Sequence, residues 1–179
     1  MIQSRDAFVY HLTCRGHRWN KGVGIVNDDY ESTMDRCRRD FIRKWGDWIK
    51  NDEFQFPIIN PKYDIGFIVE NCNDRLLAIL EPWCSNIYVD EGNIPSMIDN
   101  YITLESPNTS TDLYQKIKLF DSEKNNEILV TINGSKFTQQ DFQIVQQLSA
   151  ILQDSGEIGP FELGNLHIDI IQINTYEKD

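Results

Sequence analysis

The sequence predicts an α+β fold: mainly antiparallel sheet, two principal amphipathic helices at about 33–50 and 139–154, and a short helix at about 94–101. Three observations predict it. Apolar residues recur at steps of three and four in two long segments, which is the period of a half-buried helix. Each of those segments is opened by Ser or Thr with an acid three residues on, the form of a capping box. Elsewhere, short β-branched and aromatic runs are separated by Asn, Asp, Pro and Gly, the punctuation of strands and turns.

The elements follow in order. Residues 7–13 read as a first strand, because Phe8, Val9, Tyr10 and Leu12 favour extended backbone. A polar loop from Arg15 to Lys21 leads to a second strand over 22–26, making a hairpin. Ser32 and Asp35 open the first helix, in which Met34, Cys37, Phe41, Trp45, Trp48 and Ile49 share one apolar face. Residues 54–59, 65–69, 76–80 and 87–89 read as short strands, with a hairpin turn at 71–74. Asn93, Ile94 and Pro95 open the short helix, and 106–111 has linker composition. Residues 113–120 and 127–132 are expected to pair as a hairpin, and Asn133-Gly134 signals a tight turn. Thr138 and Asp141 open the second long helix, which buries Phe142, Val145, Leu148, Ile151 and Leu152 and stops near Gly156. The last strand, 166–176, switches its apolar face at Ile170–Ile171, which calls for a bulge or for burial on both sides. The length supports one compact domain over 1–179, with a subdivision into a hairpin–helix–meander unit (1–105) and a ββαβ unit (112–179) as the alternative.

Charge sharpens the functional reading. The 179 residues carry 17 Lys and Arg against 28 Asp and Glu, a formal charge of −11. Residues 1–50 hold ten Lys/Arg and seven Asp/Glu, and residues 51–179 hold seven and twenty-one, so the excess of +3 turns to −14. No Lys or Arg lies between Lys136 and Lys178. Such a surface repels nucleic acid and anionic membranes and steers basic partners. The plainer reading is solubility. No run of about 18 apolar residues offers a membrane span.

Cys14, Cys37, Cys72 and Cys84 form no C-x-x-C pair, so neither a zinc ribbon nor a thioredoxin motif is present. Cys37 falls on the apolar face of the first helix and reads as a buried thiol. The first residues lack the apolar core of a signal peptide. A cytoplasmic, reduced protein without disulfides is therefore expected.

Each candidate site has a plainer rival. His11, Cys14 and His17 offer three zinc-compatible donors within seven residues, but a closed site needs a fourth. A strand histidine, a small buried thiol and a loop histidine explain them better. His11 and His167, each on an expected strand, could share acid–base work on a phosphodiester. Cys84, in a loop after Pro82, could act as a nucleophile with a histidine as base. Arg36, Arg39 and Arg43 on the first helix, with Trp19 nearby, could form a phosphate or nucleic-acid surface within 15–50. Asp35 and Asp40 precede Arg39 and Lys44 by four, and charge of both signs so interspersed is usually a self-paired, solvated face. Trp19, Trp83 and Tyr88 are candidate interface anchors.

The sequence holds no G-x-x-x-x-G-K-[ST], no H-E-x-x-H and no G-x-S-x-G. No cofactor is expected. Two function classes follow. The preferred one is a non-catalytic acidic module that binds a basic protein surface, with a nucleic-acid-processing enzyme as the partner class. A small, acidic, motif-poor α+β chain has the profile of inhibitor and immunity proteins, including phage anti-defence factors such as anti-CRISPR proteins. Asp141, Asp154, Glu157 and Glu162 would carry that contact. The alternative is a small hydrolase or metal-dependent phosphoesterase built on His11 and His167. Self-association is open in both.

Overall fold

The computed structural model describes residues 28–48, 50–58, 61–90, 94–155 and 157–173. The chain forms two compact units, 1–38 and 39–179. The expected strands at 7–13 and 22–26 lie outside the described residues.

Helix α1 (Asp28–Trp45) is shifted from the expected 33–50: it begins before Ser32, so Ser32 and Asp35 lie within it instead of opening it, and it ends at Gly46, whose N–H donates to Ile42 O at 2.7 Å. Strands β1 (Lys50–Asn51) and β2 (Pro57–Ile58) make a small antiparallel hairpin. Then come β3 (Ile65–Glu70), α2 (Asp74–Leu80), a 3₁₀ turn over Glu81–Trp83, β4 (Asn86–Val89) and α3 (Ile94–Glu105). A further 3₁₀ turn, Ser106–Asn108, precedes α4 (Leu113–Lys116) and β5 (Ile117–Leu119). Strand β6 (Ile128–Asn133), helix α5 (Gln139–Ser155) and strands β7 (Gly159–Leu163) and β8 (Leu166–Ile170) complete the order.

The α+β class stands, but the main sheet is mixed rather than mainly antiparallel. Its order is β5-β4-β3-β6-β8-β7. The first four strands are mutually parallel, and β8 and β7 complete it antiparallel. Residues 113–120 and 127–132 therefore do not form a hairpin: β5 lies at one edge, and β6 pairs with β3 in the centre. The linker composition at 106–111 is no boundary either, since strands from both sides of it enter this one sheet.

Residues 76–80, expected as a strand, are helical because Asn73 caps them. Its side chain accepts from Leu76 N at 2.9 Å, satisfying a donor that the first turn leaves open. The expected turn at 71–74 is thus a strand-to-helix connection. The last strand stops at Ile170, leaving Ile171 exposed, so no bulge is needed to explain the switch of face.

One face of the sheet carries the core. Ile65, Phe67, Val69, Ile87, Val89, Ile128, Val130, Ile132, Leu166, Ile168 and Ile170 meet Leu76, Leu77 and Leu80 of α2, Ile102 of α3, Leu113 of α4, and Val145, Leu148 and Leu152 of α5. Parallel strands joined through a crossover wind right-handed. From β3 to β5 the chain steps outward in one direction with its helices on the core face. The connection from β5 back to β6 steps the other way, so the same hand places it on the opposite face. There Asn126 accepts from the Tyr88 hydroxyl at 2.8 Å and donates to Asn86 Oδ1 at 3.0 Å and to Asp64 Oδ1. Lys124 lies over the Tyr88 ring. Gly66 makes room for this strap: a Cβ there would stand 2.6 Å from Asn126 Oδ1.

Candidate functional site

Two basic side chains of α1, Arg39 and Arg43, turn to carboxylates of other elements. Arg39 grips Glu105 with two bonds of 2.8 Å. Arg43 is buried and reaches Glu81 at 2.6 Å, Glu105 at 2.8 Å and Asp40 at 3.1 Å. Lys116 closes on Glu81 from α4 at 2.8 Å, and the Tyr101 hydroxyl donates to the same carboxylate at 2.8 Å. Burial alone would push the Glu81 carboxyl up, but Lys116 and Arg43 outweigh it and hold it below the usual carboxylate range. Glu105 is depressed against burial in the same way by Arg39 and Arg43. No buried side-chain polar atom among the described residues is left without a partner. Arg36 donates to Thr33 and Arg38 pairs with Asp35. Of the arginines expected to form a nucleic-acid surface, Arg39 and Arg43 thus enter a structural ion cluster with Glu81 and Glu105, and Arg36 does not. Trp19 lies outside the described residues.

The acidic candidates separate. Asp141 is 1% exposed. It accepts from Thr138 N (2.8 Å), Thr138 Oγ1 (2.7 Å), Asn165 N (2.9 Å) and Asn165 Nδ2 (3.0 Å). Burial opposes its charge, yet these donors hold it down at about 2. Such a carboxylate closes the start of α5 and has nothing left for a partner. Asp154, Glu157 and Glu162 are exposed, and Glu162 meets His167 Nδ1 at 2.6 Å across the β7–β8 pair.

Among the described candidates, Cys84 and His167 are not brought together. Cys84 is buried, and burial pushes its pKa up to about 12, the opposite of an activated nucleophile. Strands β3 and β6 stand between β4, which Cys84 precedes, and β8, which carries His167. Cys37, expected in the core, is exposed; the inward face of α1 is instead the one bearing Ile42 and Arg43. His11, Cys14 and His17 lie outside the described residues. Among the described residues no group of three or more His, Cys, Asp or Glu is placed to hold a metal ion. Of the aromatic anchors, Tyr88 is fully buried and Trp83 packs edge-on against Phe142 at 6.2 Å.

Two features escaped the sequence reading. The first is the β1–β2 hairpin. Asp52 Oδ1 accepts from Phe54 N at 2.9 Å and Phe56 N at 2.8 Å, and Asp52 N donates to Phe56 O at 2.9 Å. This pinned turn presents Phe54 at 70% exposure and Phe56 at 61%. Ile58 on β2 is also exposed. The signal was visible: three apolar residues at alternate positions beside an Asp-Glu pair. Alternation alone does not say which face is buried.

The second is a cleft of about 310 Å³ lined by Asn73, Arg75, Ile79, Phe137, Gln139 and Phe142, among others. It lies where β3 and β6 end, between α2 and the segment that enters α5. Gly134 holds the two connections together: its N–H donates to Glu70 O at 2.8 Å, and a Cβ would stand 2.5 Å from Asn71 O.

No protein-family model matches the chain, and neither a curated protein nor a solved structure matches it. Among the described residues no helix is long and apolar enough to cross a membrane.

Proposed function

We propose that this chain is a non-catalytic binding module for a basic protein surface, anchored by the aromatic hairpin tip. One observation carries the reading: Phe54 and Phe56 stand more than half exposed on a turn that Asp52 holds by its own hydrogen bonds. Isolated exposed apolar residues are ordinary, but aromatic side chains, Phe included, are enriched in interfaces over the rest of the surface. Because the turn is already fixed, little ordering entropy remains to oppose binding. The carboxylates supply the electrostatics. Asp52 and Glu53 lie in the turn itself, and Asp154, Glu157 and Glu162 are exposed elsewhere on a chain of net charge −11.

The partner class proposed is a nucleic-acid-processing enzyme, whose substrate channel is the kind of basic surface an acidic chain meets. On this reading the chain acts as an inhibitor, of the immunity or anti-defence type. Affinity capture from the native host, followed by binary titration of the captured protein, tests it. Affinity should fall with added salt and drop at least about tenfold in the Phe54→Ala, Phe56→Ala double variant, as hot-spot truncation does. Equal affinity of the variant, or salt-independent binding, would refute the anchor and the electrostatic guide respectively.

A further inference from the structure

We propose that the cleft at the ends of β3 and β6 is a binding site for a small organic anion carrying a planar ring. Three independent observations meet there. The first is topological. Strand order runs outward from β3 through β4 to β5, then reverses to β6 on the other side of β3. In open sheets with parallel strands, crevices form outside the carboxyl ends of the two strands where the order reverses. Here those ends are Glu70 and Asn133, which are register partners, and the cleft opens beside them.

The second observation is shape and lining. Its volume of about 310 Å³ is at the small end of what ligand pockets occupy. Phe137 and Phe142 provide apolar wall, while Gln139 and the Nδ2 of Asn73, whose Oδ1 caps α2, provide polar groups. The Trp83 ring meets the Phe142 ring edge-on at 6.2 Å. Gly134 allows the close approach of the two connections beside the cleft.

The third observation is Arg75. It lines the cleft and is exposed. Arg39 and Arg43 are bound to carboxylates, but Arg75 is in no ion pair or side-chain hydrogen bond among the described residues. Asp74 precedes it, and Glu70 and Asp90 lie at neighbouring strand ends. Asp90 is committed, accepting from Asn71 N and Cys72 N. An available guanidinium beside phenyl rings matches an oxyanion attached to a planar body, since its fork fits carboxylate or phosphate and the rings favour stacking. The proposal does not rest on the hairpin or on the protein-binding reading.

Titration of the full chain by ¹H–¹⁵N correlation spectroscopy tests it, with phenyl phosphate, benzoate, neutral benzamide and inorganic phosphate as probes. The expected result is saturable shifts confined to 73–79 and 134–142 with phenyl phosphate or benzoate; whichever binds tighter names the head group. Benzamide and inorganic phosphate should each bind at least about tenfold more weakly, having lost the anion or the ring. Arg75→Gln, an exposed change that leaves the core untouched, should weaken phenyl phosphate by a similar factor. The proposal is overturned by the absence of saturable shifts with the ring-bearing anions, by shifts centred elsewhere, by Arg75→Gln binding as tightly as the parent, or by inorganic phosphate or benzamide matching phenyl phosphate.

Discussion

Asp141 shows how one carboxylate can be read twice from sequence. As the third residue after Thr138 it belongs to a helix start; as one of several acids in a stretch without Lys or Arg it looks like surface charge. The two readings exclude each other, because a side chain accepting from both Thr138 and Asn165 is spent. Asn165, twenty-four residues on, is the partner that no local pattern could supply. The depressed pKa fixes the sign of a prediction. An acid whose folded pKa lies below its unfolded one contributes stability that is present above the unfolded value and lost as pH falls through the folded value. Asp141 should therefore support the fold fully above about pH 4 and lose that contribution toward about pH 2. Asp141→Asn should cost about 1–2 kcal/mol at neutral pH in urea denaturation and flatten the acid limb of the stability curve. The thiols give a second residue-scale test. Cys37 is exposed and Cys84 buried with its pKa pushed up to about 12, so alkylation of the folded protein should label Cys37 rapidly and spare Cys84 until denaturant is added. Equal labelling of the two would contradict the orientation of α1.

At the scale of elements, the two long helices and the helix opening at Ile94 were legible in kind, whereas α2 and α4 were not. The α5 periodicity extends over enough turns to settle its type, whereas residues 76–80 are an apolar run that suits a buried strand or a buried helix equally. Strand β7 was missed because Pro160 and Glu162 interrupt it; both are tolerated since β7 is an edge strand and they point away from the core. Two elements are held by groups whose role appears only in three dimensions. Gly66 lies under the strap from β5 to β6, so Gly66→Ala must move Asn126 and break its bonds to Tyr88 and Asn86. A loss of about 2–3 kcal/mol is expected in chemical denaturation, the range for overpacking together with lost buried hydrogen bonds. The ion cluster ties the end of α1 to the Glu81 turn, α3 and α4. Removing one member strands the others, so Arg43→Met should destabilise by about 3–5 kcal/mol. Replacing Arg43, Glu81 and Lys116 together by apolar residues of similar volume should cost less than that single change, which a set of urea melts would show.

For the whole molecule, what the sequence could not reveal was strand order. Sequence neighbours 117–119 and 128–133 are both extended, and proximity suggests a hairpin; yet a parallel arrangement that keeps every crossover right-handed sends them to separate places in the sheet. The cleft is a consequence of that order, so it was as invisible as the order itself. Net charge, by contrast, was fully legible, and the structure divides it into two kinds. Arg39, Arg43 and Lys116 neutralise buried carboxylates. Among the described residues the buried charged side chains are two cations, Arg43 and Lys116, and four anions, Asp47, Glu81, Glu105 and Asp141, so most of the excess of 28 anions over 17 cations does not lie in the buried cluster. Exposed like charges repel and are screened by salt, whereas the buried cluster is screened far less. Moderate sodium chloride, added from low ionic strength at neutral pH, should therefore raise the thermal midpoint of the free protein. A gain of about 1 kcal/mol corresponds to roughly 2–8 °C for chains of this size range. The Arg43→Met variant should start from a lower midpoint and gain a similar increment, because the repulsion being screened is on the outside. A midpoint that falls with salt, or an increment that vanishes in the variant, would mean that the pairs in the cluster and not the exposed carboxylates dominate the electrostatics of this fold.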